Sequence, residues 1–163
     1  ARYRVARSFD GIALSGFSDA TVAGYSALFR LFLAWSAFEQ YLKALPLRQC
    51  DCGPLIDSHL SPDVVEHIRG LDEGTRLFNL IQSKANREVG EELEKYKRRE
   101  RFNPSYLASS IRHVFAHGML TPNAKGADPA AVAAICDTLS KAHLTAVGDD
   151  FRERVETFLA KHV

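Results

Sequence analysis

Between residues 18 and 45, apolar side chains recur at spacings of three and four, the pattern of a helix with one buried face. The stripe consists of Leu28, Leu31, Phe32, Trp35, Phe38, Leu42 and Leu45. Ser18 precedes it as a capping residue, and Asp19 lies in the first turn, where the helix dipole favours an anion. Pro46 ends the pattern, because proline has no N–H to continue a helix. The sequence therefore predicts one long core helix here.

Three pairs of a capping residue and a proline mark later helix starts. They are Ser61-Pro62, Asn103-Pro104 and Asp128-Pro129, each with proline at the first helical position. The first predicts a helix to about Arg69. The second predicts a helix that ends at Gly118, a residue suited to a C-cap. The third predicts a helix to the C-terminus with a bend at Gly148, and residues 75–101 fit one or two further helices.

Signals for β-strands are weak along the chain, so the pattern favours an all-α fold. We expect an antiparallel bundle of four to five helices formed by a single domain over residues 18–163. Residues 1–17 mix aromatic, basic and glycine residues without a helical period. They are interpreted as an N-terminal arm with one short strand.

Composition narrows the functional classes. The formal net charge is +1, so a nucleic-acid role needs a local basic patch rather than a global field. Cys50 and Cys52 are too close in sequence for an ordinary disulfide, and Cys136 lies in an apolar run, which favours free thiols and a reducing compartment. The most apolar stretch, residues 25–38, carries Arg30 and is short for a bilayer. We expect a cytoplasmic protein without membrane association.

Residues 111–120, IRHVFAHGML, hold the most suggestive chemistry. On a helix, His113 and His117 share one flank, whereas Arg112 lies about 140° away from His117. Arg112 must therefore curl towards His117, or a second copy of the helix must bring the two types of side chain together. His117 also falls in the last turn, where unpaired carbonyls favour a cation.

Three interpretations of this cluster stay open. It can be a polar helix flank with a structural role only. It can be half of a zinc site, since His113 and His117 have suitable spacing, although the glutamate of H-E-x-x-H is missing. It can also be a reactive pair, in which a histidine transfers the proton of an RNA 2′-hydroxyl and an arginine stabilises the phosphoryl oxygens without a metal.

The segment Arg112-His113-Val114-Phe115-Ala116-His117 resembles the R-x(4–6)-H motif of the HEPN superfamily, in which the residue after the arginine is polar. The earlier stretch AWSAFEQYLKAL is similar to the first long helix of that superfamily, so the resemblance covers roughly residues 18–120. It implies a homodimer with two motifs face to face. Arg112 and His117 would be catalytic and His113 supporting, and no cofactor or metal would be needed.

The resemblance implies two functions. The first is a metal-independent endoribonuclease of toxin or defence type, with an antitoxin as a partner. The alternative is a non-catalytic module that binds a nucleotide or a partner such as a nucleotidyltransferase.

A basic segment precedes the motif helix and is a candidate RNA-binding patch. Its charged residues are Lys95, Lys97, Arg98, Arg99 and Arg101. Phosphates would bind there, with Tyr96 or Phe102 stacking on a base. The competing interpretation is a solvated helix end, because the preceding GEELE supplies opposite charges.

Overall fold

The computed structural model describes residues 1–162, and over this range the chain is helical with no strand. The helices are α1 Arg2–Ser8, α2 Asp19–Ala44, α3 Gly53–Ile56, α4 Pro62–Leu71, α5 Arg76–Gln82, α6 Arg87–Lys97, α7 Ser105–Ala116 and α8 Pro129–His162. Short 3-10 turns lie at Gln49–Asp51 and Ala124–Gly126. The all-α prediction is confirmed, but the described residues form eight helices where four to five were expected, and residues 75–101 contain two of them.

Helix α2 is the core helix that its apolar stripe predicts. The Ser18 side chain accepts a hydrogen bond from the Thr21 N–H, and the helix ends at Ala44, two residues before Pro46. Its stripe is buried over most of its length. Each large side chain that is removed from water contributes about 1.5–3 kcal/mol, so this face holds the fold together.

The predicted capping side chains bond to amide N–H groups at the later helix starts, but α7 begins one residue later than predicted, at Ser105, with Pro104 at its N-cap position. Ser61 accepts from the Val64 N–H, and Asn103 accepts from the Ser105 N–H at 3.0 Å. Asp128 accepts from the Ala130 N–H at 3.1 Å. These side chains satisfy amide donors that a helix start leaves unpaired, which explains why the starts could be located from sequence.

The two longest helices, α2 and α8, run parallel to each other. Contacts that ascend together along both helices show the direction: Arg30 with Asp137, Phe38 with His143, and Tyr41 with Asp150. Helix α7 runs antiparallel to α2, since Phe115 contacts Phe29 while the earlier Arg112 contacts Phe32. The predicted antiparallel order therefore applies to α2 and α7 but not to α2 and α8. The helices between α2 and α8 therefore bring the chain back to the N-terminal end of α2 before α8 begins.

The strand expected within residues 1–17 is wrong, because Arg2–Ser8 form helix α1. Ala6 is buried, Arg2 donates to Ser36 Oγ at 3.3 Å, and the Ile12 N–H donates to Ser26 Oγ at 3.1 Å. Tertiary packing against α2 therefore decides the conformation of a segment without a helical period of its own. The boundary between residues 17 and 18 stays a prediction.

Helix α8 passes through Gly148 without a break, and its residues 151–162 are exposed. The bend predicted there stays a prediction, and Val163 lies outside the described residues. By length and apolar content, α2 could cross a membrane, but half of its most apolar window is buried inside the fold. The core helix of a soluble protein has the same properties, so this observation carries little weight.

Candidate functional site

The end of helix α7 has a well-defined geometry. The helix ends at Ala116, and Gly118 adopts a left-handed φ of 69°. The Gly118 N–H donates to the Phe115 carbonyl at 2.9 Å, and the Met119 N–H donates to the Val114 carbonyl at 3.0 Å. This pair of bonds is the Schellman arrangement, in which glycine pays no steric cost for its positive φ. It fixes His117 at the C-cap position.

His113 and His117 lie side by side on the exposed surface of α7. Their ring centroids are 4.5 Å apart, with an angle of 62° between the ring planes. Both residues are exposed. The prediction that they share one flank is confirmed, and either imidazole is accessible to a ligand from solvent.

Arg112 projects to the other side of α7, towards α2. Its guanidinium carbon lies 5.2 Å from the centroid of the Phe32 ring, and the side chain is half-buried. The Nε atom is buried and has no hydrogen-bond partner. Within residues 1–162, no carboxylate forms an ion pair with this guanidinium. The two terminal nitrogens of the guanidinium are not fully buried and form no hydrogen bond within residues 1–162, so they are the donors that an external anion can reach.

Arg112 and His113 line a cleft of about 380 Å³, which we call the motif cleft. Its walls come from α2, the 3-10 turn at Gln49–Asp51, the α5–α6 region and α7. The polar and charged lining residues are Glu39, Gln49, Lys84, Asn86, Ser109, Ser110, Arg112 and His113. Apolar walls are formed by Trp35, Ile81, Ala85, Val89 and Val114.

His117 is not among the residues that line the motif cleft. It is connected to the cleft through its ring contact with His113. A single chain therefore brings Arg112 and His113 to the same cleft and places His117 beside it. This agrees with the angular separation calculated from the sequence, since Arg112 and His117 do not line one cleft within a single chain.

An exposed apolar surface lies next to the motif. Phe29 of α2 and Phe115 of α7 meet edge to face at 5.0 Å between ring centroids. Phe29 is 39% exposed, and Met119, just after the helix end, is 40% exposed. Exposed aromatic and methionine side chains are enriched at protein interfaces. The surface formed by Phe29, Phe115 and Met119 is called the apolar rim below.

The basic segment is largely compensated by acidic side chains. Lys95 pairs with Glu92, Arg99 with Glu66 at 3.4 Å, and Arg101 with Asp57 at 3.3 Å. In the part of the chain that the structure describes, Lys97 and Arg98 are exposed and have no such ion pair. Arg99 and Arg101 also line a second cleft of about 480 Å³ beside α4, together with the acidic residues Asp57, Glu66 and Glu100.

The cysteines are free: Cys50 is exposed, whereas Cys52 and Cys136 are buried. Burial raises the pKa of the Cys52 thiol, against hydrogen bonding with Ser105 and Asn103. No group of three or more His, Cys, Asp or Glu residues suited to a metal ion occurs within residues 1–162. The zinc interpretation of His113 and His117 therefore has no third ligand in the described part of one chain.

Several cleft residues were not singled out from the sequence. Gln49, Lys84 and Asn86 are separated from Arg112 by 26 residues or more, and no local motif marks them. Only tertiary packing brings the 3-10 turn at Gln49–Asp51 and the α5–α6 region to the same cleft as α7. Glu39 also lines the cleft, and its carboxylate lies 3.6 Å from Lys43 Nζ.

Comparisons of the chain with models of protein families, with curated proteins and with solved structures found no match. The likeness to the HEPN superfamily therefore depends on the residues of the motif and their surroundings, and it enters the functional argument as a proposal.

Proposed function

We propose that this protein is a HEPN-like, metal-independent endoribonuclease that acts as a homodimer through Arg112 and His117. The observation that carries the proposal is the environment of Arg112. Its guanidinium is half-buried in a cleft, has no ion pair within residues 1–162, and lies on the same helix as two exposed histidines in contact. This combination offers an anion site beside groups that can transfer a proton.

The chemistry requires only RNA and these side chains. An imidazole accepts the proton of a 2′-hydroxyl, and the 2′-oxygen attacks the adjacent phosphorus. The bond to the 5′-oxygen of the next nucleotide breaks, and that oxygen takes up a proton. The guanidinium stabilises the negative charge that builds on the phosphoryl oxygens. The products are a 2′,3′-cyclic phosphate and a 5′-hydroxyl.

His113 is assigned a supporting role. It contacts the His117 ring at 4.5 Å and also lines the motif cleft with Arg112. It thus limits the orientations that the His117 ring adopts on the surface. A histidine held in this way loses less freedom when it meets a phosphodiester, which favours catalysis.

A second copy of the chain would complete the site. His117 lies outside the motif cleft of its own protomer, and the apolar rim beside it is exposed. Pairing two copies through this rim would bury Phe29, Phe115 and Met119 and bring the two α7 helices together. The His117 of one copy could then act at the Arg112 of the other.

RNA cleavage in the presence of EDTA tests the proposal. We expect cleavage to persist with EDTA and to fall at least 100-fold in His117→Ala, a typical loss for a general acid–base group. His67→Ala is the matched control, because His67 is also exposed but lies on α4, away from the cleft. Absence of cleavage by the wild type, or full activity of His117→Ala, overturns the proposal.

A non-catalytic module is the second candidate, favoured by the apolar rim. Such a surface can bind a different protein as well as a second copy of this chain. The partner would be a nucleotidyltransferase or, for a toxin, its antitoxin. A folded wild-type protein that leaves RNA intact and forms a stable complex with such a partner would support this candidate.

A further inference from the structure

The motif cleft contains side chains that the proposed cleavage does not use. Lys84 is exposed at its edge, and no carboxylate within residues 1–162 forms an ion pair with it. The one acidic residue of the lining, Glu39, lies within ion-pair distance of Lys43. Among the described residues, the cleft therefore carries two cations, Lys84 and Arg112, that form no ion pair with a carboxylate. Such a cleft attracts a phosphate group.

Two amide side chains in the lining have groups left free for a ligand. Gln49 Nε2 donates to Ser109 Oγ at 2.9 Å and to Ser105 Oγ at 3.3 Å, so its carbonyl oxygen is available as an acceptor. Asn86 Oδ1 accepts from the Val89 N–H at 3.0 Å, so its NH₂ group is available as a donor. One donor and one acceptor can pair with the polar edge of a nucleobase.

The remaining lining is apolar and suited to the face of a base. Trp35 is only 4% exposed and belongs to the cleft wall, together with Ala85 and Val89. The volume of about 380 Å³ lies within the range of roughly 300–1,000 Å³ typical of small-molecule sites. Apolar walls with a few polar groups are the usual composition of such sites.

We propose that the motif cleft binds one nucleotide of the RNA substrate. Its phosphate lies between Arg112 and Lys84, and its base lies against the apolar wall, where Gln49 and Asn86 contact the base edge. Lys84 is thus a binding residue, and Gln49 and Asn86 determine which base is preferred. The assignment of the ligand to RNA rests on the proposed nuclease function, whereas the phosphate and base sites follow from the cleft itself.

Trp35 provides a direct measurement, because it is the single tryptophan of the chain and lies in the cleft wall. Its fluorescence is recorded while AMP, GMP, CMP, UMP, the four nucleosides and inorganic phosphate are added in turn. A short RNA with 2′-O-methyl groups, which cannot be cleaved by its own 2′-oxygen, forms the last arm. We expect the methylated RNA and at least one mononucleotide to change the fluorescence. Nucleosides, which lack the phosphate, are expected to bind at least about tenfold more weakly than the mononucleotides.

Two variants separate cleft binding from general charge. Lys84→Ala is expected to weaken mononucleotide binding about tenfold and to raise KM for RNA, since Lys84 contacts the bound phosphate. Lys161→Ala, on the exposed end of α8, is the matched control and is expected to bind as the wild type does. Lys84 is exposed, so its replacement should leave the thermal midpoint unchanged.

The outcomes distinguish this inference from the nuclease proposal. If RNA stays intact but nucleotides bind in a Lys84-dependent way, the nuclease proposal fails and the cleft assignment stands. If RNA is cleaved but neither mononucleotides nor the methylated RNA affect Trp35, and Lys84→Ala keeps the wild-type KM, the cleft assignment is overturned. Binding of free mononucleotides with no response to the methylated RNA overturns the assignment to an RNA strand.

Discussion

The guanidinium of Arg112 lies over the ring of Phe32, at 5.2 Å from the ring centroid. A residue of the candidate site is thereby positioned by the core helix α2 rather than by its own helix alone. The contact supplies a cation–π attraction and covers one face of the guanidinium. It leaves the N–H groups of the other edge for an anion, which is the arrangement that the proposed reaction needs.

Replacement of Arg112 by lysine tests this arrangement. Lysine keeps the charge but loses the planar fork that holds two phosphoryl oxygens, and it stacks less well on a ring. We expect Arg112→Lys to lower kcat for RNA cleavage by tenfold or more. Arg87→Lys is the control, because Arg87 is exposed on α6, where it pairs with Glu91 and lies outside the motif cleft. Equal activity of the two variants would show that the guanidinium has no specific role.

The buried His143 makes stability depend on pH. Burial lowers the pKa of His143 to about 4, although its Nδ1 lies 2.6 Å from the Leu139 carbonyl, and its ring contacts Trp35 and Phe38. The unfolded chain has a histidine of ordinary pKa, about 6.5. Below pH 6.5 the unfolded state therefore binds the proton more readily than the folded state. The contribution of neutral His143 to the free energy of unfolding is therefore complete above pH 6.5 and is lost as the pH falls towards 4.

Between pH 7 and pH 5 this effect is worth about 2 kcal/mol of the free energy of unfolding. We expect His143→Leu to remove most of that dependence, as measured by urea unfolding at the two pH values. The pKa of Asp150 is also lowered, because its hydrogen bonds with Arg154 and Tyr41 outweigh the effect of desolvation. The ordinary pKa of this carboxyl is 3.8, so Asp150 titrates below the range between pH 7 and pH 5. An unchanged pH dependence in His143→Leu would contradict the prediction.

Gly24 marks a close approach between α2 and the segment before α8. A Cβ atom at Gly24 would lie 2.6 Å from Pro122 Cβ, and the proline ring cannot rotate away. We expect Gly24→Ala to destabilise the protein by about 1–3 kcal/mol through overpacking. Gly90→Ala is the matched change, because a Cβ there meets nothing within 4 Å and alanine favours the helix by about 0.5–1 kcal/mol. Thermal unfolding of both variants measures the difference, and equal shifts would contradict this packing.

The ion pairs of the basic segment predict unequal roles for two neighbouring arginines. Arg98 is exposed without an ion pair in the described residues, whereas Arg99 pairs with Glu66. We expect Arg98→Ala to weaken RNA binding more than Arg99→Ala and to reduce the slope of affinity against salt by about one unit. Titrations at several salt concentrations measure both. If neither variant changes the slope, this segment is a solvated helix end.

The helices could be predicted from the sequence where local chemistry determines them. Ser18 and Ser61 cap their own helices, Asn103 accepts from the first amide of α7, and the positive φ of Gly118 ends α7, so these boundaries follow from neighbouring residues. Helix α1 could not be predicted, because the burial of Ala6 against the rest of the fold stabilises this helix. The parallel order of α2 and α8 likewise depends on contacts far apart in sequence.

Only those features of the candidate site that depend on local spacing could be predicted from the sequence. The contact of His113 with His117 follows from their spacing of four on one helix. The burial of Arg112 Nε and the contribution of Lys84 to the cleft depend on how α2 and the α5–α6 region pack against α7. The ion pair between Arg99 and Glu66 joins separate helical regions and could not be read from the charge pattern alone.

Mixing two inactive variants tests the shared site most directly. Arg112→Ala and His117→Ala are unfolded together and refolded, so that half of the dimers contain one chain of each kind. Each mixed dimer holds one intact pair, formed by the Arg112 of one chain and the His117 of the other. We predict that the mixture recovers about a quarter of wild-type RNA cleavage in EDTA, while each variant refolded alone stays inactive. A mixture as inactive as its components, beside an active wild type, would contradict a site shared between two chains.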